Sequence, residues 1–143
     1  RNKIERACRQ LQLTAADHLL EIGTGWGGLA MHAAQRYGCR VTTTTISEEQ
    51  YALAQERIRE AGLTDRVTVL LQDYRRLEGQ YSKAVSIEMF EAVGLKHYDE
   101  YFAAVDRLLR PGASFLLQTI TMNERSFGRY QEGTDWIQKY IFP

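Results

Sequence analysis

Apolar positions along this chain alternate between helical and strand-like spacing. Ile4, Ala7, Cys8 and Leu11 recur three and four residues apart, which predicts a helix over Asn2 to Leu11. Thr14 to Asp17 is a connection, and His18 to Ile22 a short apolar run of strand character. Leu29, Ala30, Ala33, Ala34 and Tyr37 then restore a helical face, and Gly38 supplies its stop. Arg40 to Ile46 is β-branched almost throughout, as in a strand buried on both faces. Ser47 to Gln50 has the spacing of a capping box and opens a helix with Tyr51, Ala54, Ile58 and Ala61 on one face, ending at Gly62. Arg66 to Gln72 predicts a third strand, Asp73 to Gln80 a loop, Lys83 to Glu88 a fourth strand and Met89 to Leu95 a turn or short helix. Tyr98, Tyr101, Phe102, Val105, Leu108 and Leu109 mark an amphipathic helix stopped by Pro111-Gly112, and Ser114 to Thr121 a fifth strand. Met122 to Pro143 has no clear period until Trp136 to Phe142, which predicts a helix.

Strands alternating with helices predict an α/β fold, a parallel sheet with helices on both faces. Right-handed crossovers put every strand's carboxyl end on one edge, where such sheets bind ligands. The residues expected there are Glu21 to Gly25, Thr45 to Ser47, Gln72 to Tyr74, Glu88 to Glu91 and Gln118 to Thr121. One stretch stands out among them. Leu19 to Gly28 runs from apolar residues through Glu21 into Gly23, Gly25, Gly27 and Gly28. A strand that breaks into a glycine turn and re-enters a helix lets backbone approach a ligand closely.

Composition narrows the partners. Eighteen Lys+Arg balance eighteen Asp+Glu, so no global basic field points to nucleic acid, and none is expected as a partner. Cys8 and Cys39 give neither a disulfide framework nor metal-ligand spacing, which favours a reducing, cytoplasmic setting. His18, His32 and His97 are scattered and show no metal spacing either. No apolar run approaches a membrane span. At 143 residues the chain is sized for one domain, 1–143, and its ends predict a fragment of a longer protein.

Gly23, Gly25 and Gly28 also satisfy the dinucleotide pattern, which alone is a weak signal. A dinucleotide site wants an acid at the end of the second strand for the ribose. That end is Thr44-Thr45-Ile46 here, whereas an acid sits two residues before the first glycine, at Glu21. Acid-x-Gly-x-Gly-x-Gly resembles the S-adenosylmethionine site of Rossmann-like class I methyltransferases. The resemblance narrows further across six blocks: Glu21 to Gly28, Thr45 to Gln50, Asp73 to Arg75, Ser86 to Gly94, Leu117 to Thr121 and Ile137 to Pro143. In that order they resemble the cyclopropane fatty acid synthase family, which includes the mycolic acid cyclopropane synthases.

The resemblance implies a Rossmann-like methyltransferase domain truncated before its last strands. It also implies roles. Glu21, Gly23, Thr24, Gly25, Trp26 and Gly27 would lie about the methionine part of the cofactor, Trp26 being equally readable as a core aromatic. Thr45, Ile46, Ser47 and Gln50 would line the ribose region, and Asp73, Tyr74 and Arg75 the adenine. Gln50 has a second reading, as the fourth member of its capping box. Glu91, Gln118 and Ile120 would form the catalytic group around a bicarbonate ion. Glu88 and Glu91 are two acids in an apolar stretch, costly to bury unless paired or functional. Glu88 would support the loop.

The implied reaction passes the cofactor's methyl to a cis double bond of a phospholipid acyl chain, with loss of a proton and ring closure. Water or hydride at the cation would give a hydroxylated or methyl-branched chain instead. Peripheral membrane contact follows from a lipid acceptor. Two positions depart from the family: Ala92 follows Glu91 where His is frequent, and Gln118 stands where the best-known members have His. The remaining bicarbonate ligands match no residue of this chain. Other readings are a methyltransferase on a small N, O or C acceptor, a cofactor-binding but inactive piece, and a nicotinamide oxidoreductase.

Overall fold

The structure, a computed structural model, describes residues 2–121. Its five strands are all parallel, in the order β3-β2-β1-β4-β5. They are β1 (His18–Ile22), β2 (Arg40–Thr45), β3 (Val67–Leu71), β4 (Tyr81–Ile87) and β5 (Leu109–Gln118). Four α-helices accompany them: α1 (Asn2–Gln10), α2 (Gly28–Tyr37), α3 (Glu48–Glu60) and α4 (Tyr98–Leu108). The helix predicted over Trp136 to Phe142 lies outside the described residues.

Alternation along β1 divides the core in two. Leu19 joins Val41, Val67, Val69 and Val85 on one face, under Leu29 and Ala33 of α2, Ala54 and Ile58 of α3 and Cys8 of α1. Leu20 and Ile22 join Ala84 on the other, under Tyr101, Val105 and Leu108 of α4. The expected helices on both faces are therefore present, and the alanines of α2 let that helix lie close to the sheet. Glu5 pins α1 against α2: it accepts from His32 Nε2 at 2.7 Å, Arg9 Nε at 2.8 Å and Tyr37 Oη at 3.1 Å, which holds its carboxyl down at about 2.

The boundaries of β5 differ most from the sequence-based expectation. Pro111-Gly112 does not stop α4, which already ends at Leu108, and β5 starts at Leu109 and passes through the pair. Tyr81 pairs with Leu109, but Lys83 pairs with Ser114, so the register jumps between them. Proline lacks a donor and Gly112 takes φ 78°, which together bulge the strand rather than end it. β5 finishes at Gln118, short of Thr121.

Candidate functional site

The chain turns to opposite sides at β1: β2 and β3 lie on one flank, β4 and β5 on the other. A crevice forms at the carboxyl edge of such a switch point. Here it is a cleft of about 580 Å³ lined by Ile22, Gly23, Thr44 to Ser47, Gln50, Gln72 to Arg75, Met89, Ala92, Val93 and His97.

Gly23, the first residue of the glycine turn, reaches the cleft lining. The N–H groups of Gly23 and Thr24 both donate to Thr44 O at 3.0 Å, which locks the turn to β2. Gly23 has φ 99°, and a Cβ there would stand 3.1 Å from Met89 Cβ and Cγ, so glycine is required twice over. Gly25 has φ 50°, yet a Cβ would meet nothing within 4 Å, which leaves open space above the turn.

β2 ties the wall together. Thr42, Thr43, Thr44 and Thr45 are all buried, and a buried hydroxyl needs a partner. Thr42 Oγ1 bonds His18 Nε2, Thr43 donates to Thr24 Oγ1, Thr44 donates to Gln72 O, and Thr45 donates to Gln50 Oε1 at 2.8 Å. The strand thereby fixes the glycine turn, the end of β3 and the start of α3. It also bears on the capping-box reading of Gln50. Ser47 Oγ caps α3 by accepting from Gln50 N, but the Gln50 side chain reaches Thr45 rather than the Ser47 N–H, which bonds Thr45 Oγ1. Half a capping box forms, and the Gln50 side chain lines the cleft.

At the far wall Asp73 caps the 3-10 turn Tyr74–Arg76, accepting from Arg75 N at 2.9 Å, and takes the Arg75 guanidinium as well. The guanidinium holds the Asp73 carboxyl below the usual carboxylate range. Tyr74 leans edge-on against Tyr101 at 5.2 Å.

Glu21 lies behind the turn, 5% exposed, level with Thr43 and Val85. Its Oε2 has no hydrogen-bond partner, and burial pushes its carboxyl up to about 8, against a smaller opposing pull from Thr43. Trp26 is 53% exposed and is therefore no core aromatic; neither it nor Thr24, Gly25 or Gly27 lines the cleft itself.

A second polar group assembles on the other flank. Glu91 Oε1 accepts from Ile120 N at 2.6 Å, while its Oε2 is buried with no partner among the described residues. Gln118 Nε2 donates to Glu88 Oε1 at 3.1 Å, and Lys3 Nζ donates to the same oxygen at 2.8 Å. Glu88 is exposed and Glu91 only partly buried, so the expectation of two buried acids does not hold; what is buried is the single Glu91 Oε2 atom. Lys3, Val93 and His97 were outside the sequence-derived set. Nothing local signals Lys3, whereas the strand-end rule extended through the loop after β4 would have found Val93 and His97.

An open parallel sheet with a glycine turn, a hydroxyl-lined second strand and a cleft at its switch point is the fold of the class I methyltransferases. Within that class the chain belongs to the mycolic acid cyclopropane synthetase family, which it matches over residues 1–143. It is 45% identical over 143 residues to tuberculostearic acid methyltransferase UfaA1 of Mycobacterium tuberculosis, covering 100% of this chain and 33% of that one. It is 48% identical over 141 residues to cyclopropane-fatty-acyl-phospholipid synthase of Escherichia coli, covering 99% and 35%. The solved mycolic acid cyclopropane synthase CmaA1, complexed with SAH and CTAB, superposes with a TM-score of 0.86 at 29% identity over 99% of this chain and 53% of that one. The chain spans about a third of the length of these curated relatives.

Proposed function

We propose that the protein to which this chain belongs transfers a one-carbon unit from S-adenosylmethionine to the double bond of an unsaturated phospholipid acyl chain. The observation that carries this reading is the pairing, on one sheet edge, of a cofactor-sized cleft with Glu91, a partly buried glutamate with one oxygen bonded and the other unpartnered among the described residues. A volume of about 580 Å³ suits a nucleoside-sized ligand. The open space over Gly25 and the unpartnered oxygen of Glu21 fit the cofactor's methionine part, whose ammonium is the kind of donor that oxygen lacks. Gln50, held by Thr45, and Asp73 offer acceptors for ribose hydroxyls and the adenine amine. The cofactor supplies a methyl group already activated by its sulfonium charge.

The chain's own residues then have three tasks. The turn, Thr45 and Tyr74 orient the cofactor, which places the methyl for in-line attack by the alkene. Met89 and Val93, partly buried in the cleft wall, limit the access of water to a cationic centre. Glu91, with one oxygen anchored on Ile120 N–H and the other free, is the group available to take the released proton. The donors that would hold bicarbonate, Ile120 N–H and Gln118 Nε2, are engaged by Glu91 and Glu88, so that ion finds no cradle among the described residues.

A second reading concerns the product. Ala92 lines the cleft without a polar group and Gln118 carries no charge, so a branched chain competes with a ring. The test is to incubate the full-length protein with S-adenosylmethionine and vesicles of an unsaturated phospholipid, then to measure fatty-acid mass and proton spectra. A gain of one CH2 with loss of olefinic protons indicates a ring; retained olefinic protons or an added hydrogen pair indicate a branch. A polar metabolite methylated in place of any lipid would overturn the reading.

A further inference from the structure

Among the described residues, two that are not glycine have positive φ, Gln12 and Glu88. Gln12 follows the end of α1, where a left-handed residue is common. Glu88 has no such excuse: at φ 52° it follows the last residue of β4, in a left-handed conformation that is strained for an L side chain. Strain of this kind persists only where surrounding contacts over-determine it.

Those contacts converge on Gln118. The Glu88 N–H donates to Gln118 O at 2.8 Å, one step beyond the Ile87–Gln118 pair of the ladder. Its carboxylate accepts from Gln118 Nε2 at 3.1 Å, so one residue holds the other by main chain and side chain together. The same carboxylate oxygen takes Lys3 Nζ at 2.8 Å, which brings α1 to this edge, and the ammonium keeps the carboxyl below its ordinary range. An ionised carboxylate only accepts. The Gln118 nitrogen must therefore face Glu88, and its carbonyl oxygen must face away. The half-exposed Lys3 pair adds little stability by itself; its effect is on Glu88's charge and orientation.

We propose that Glu88 is a positioning residue for the reaction inferred above: its strained backbone and its carboxylate hold Gln118 in one orientation, so that Gln118 faces the acceptor with its carbonyl oxygen, as a hydrogen-bond acceptor. A carbonyl oxygen on the strand whose next residues reach Glu91 through Ile120 N–H adds to the electron-rich character of this flank, suited to a developing cation. The proposal rests on the functional reading, but its first test does not. In the full-length protein, the Gln118 side-chain amide should give a dispersed nuclear magnetic resonance pair that Glu88→Gln moves towards the positions of a free amide. An unchanged pair would overturn the proposal even if no lipid activity were found.

The second test is kinetic. Glu88→Gly relieves the backbone strain, so thermal stability should hold or rise. The kcat should nevertheless fall on the order of tenfold while KM for S-adenosylmethionine stays within about twofold. Gln118→Ala should cost less in the Glu88→Gly background than alone. Additive losses, or a Glu88→Gly protein with full kcat, would show Glu88 to be a surface residue and nothing more.

Discussion

The two flanks of the carboxyl edge are built differently. On the β1–β3 flank the walls come from backbone and from side chains close behind the strands that carry them. The turn is locked by Thr44 O, and four buried threonines of one strand serve as ties. On the β4–β5 flank the group is made by pairs distant in sequence: Ile120 with Glu91 across 29 residues, Gln118 with Glu88 across 30 and Lys3 with Glu88 across 85. The first flank is rigid because the sheet itself forms it. The second depends on how three elements meet at the sheet's last described strand, and half of it is exposed. Binding and chemistry should therefore separate by mutation.

The largest effect should come from the second flank. Glu91→Gln removes the one free carboxylate oxygen at the acceptor site, and turnover of the full-length protein should fall on the order of a thousandfold. Cofactor affinity, measured by calorimetry, should stay within about twofold, since Glu91 does not line the cleft. A fully active variant would remove Glu91 from the mechanism, and a large loss of affinity would erase the division between the flanks. The mirror experiment is Gly25→Val. A Cβ at Gly25 meets nothing within 4 Å among the described residues, so the new side chain projects into the open space over the turn at a strained φ of 50°. Cofactor affinity should drop on the order of a hundredfold, with a stability loss of about 1–2 kcal/mol from backbone strain. Unchanged affinity would mean that the space over Gly25 is not the cofactor's.

The same contrast governs what the sequence made legible. The Leu19 to Gly28 turn, the β-branched run of Arg40 to Ile46 and the helix start at Ser47 are short-range signals, and all appear where expected. So does the sheet, because alternation of period fixes element type and handedness fixes which edge collects the loops. Gln50 was ambiguous because a capping box and a cleft wall use the same residue at the same spacing; only its distance to Thr45 separates them. Trp26 was equally open, since apolarity alone does not say whether a turn residue faces inward. The Pro111-Gly112 pair misled because in a strand it makes a bulge, while after a helix it makes a stop, and both begin with the same letters. Lys3 was invisible: its partner lies 85 residues away, and no local pattern encodes that meeting.

Glu21 sharpens the comparison through protons. Burial raises its carboxyl from 4.5 to about 8, so the folded, ligand-free protein keeps a proton that the unfolded chain releases. The sign follows: this contribution to stability is full below pH 4.5 and is lost as pH rises towards about 8. Glu21→Gln should flatten that loss in thermal melts across the same window. If the cofactor's ammonium meets Glu21, binding near neutral pH should also expel about one proton. Calorimetry in buffers of different ionisation heat would read it, and a buffer-independent heat would place the ammonium elsewhere.

The smallest expected effect tests whether β2 supports the site through its hydroxyls. Thr43→Val keeps the shape of a fully buried side chain but leaves Thr24 Oγ1 without its donor. An unsatisfied buried hydroxyl costs about 1–2 kcal/mol, visible as a lower midpoint in denaturant. Turnover at saturating cofactor should be unchanged, because Thr43 reaches the cleft only through the glycine turn and touches nothing on the β4–β5 flank. A fall in kcat without a fall in cofactor affinity would show that the two flanks are coupled across β1, and the division drawn between them would fail.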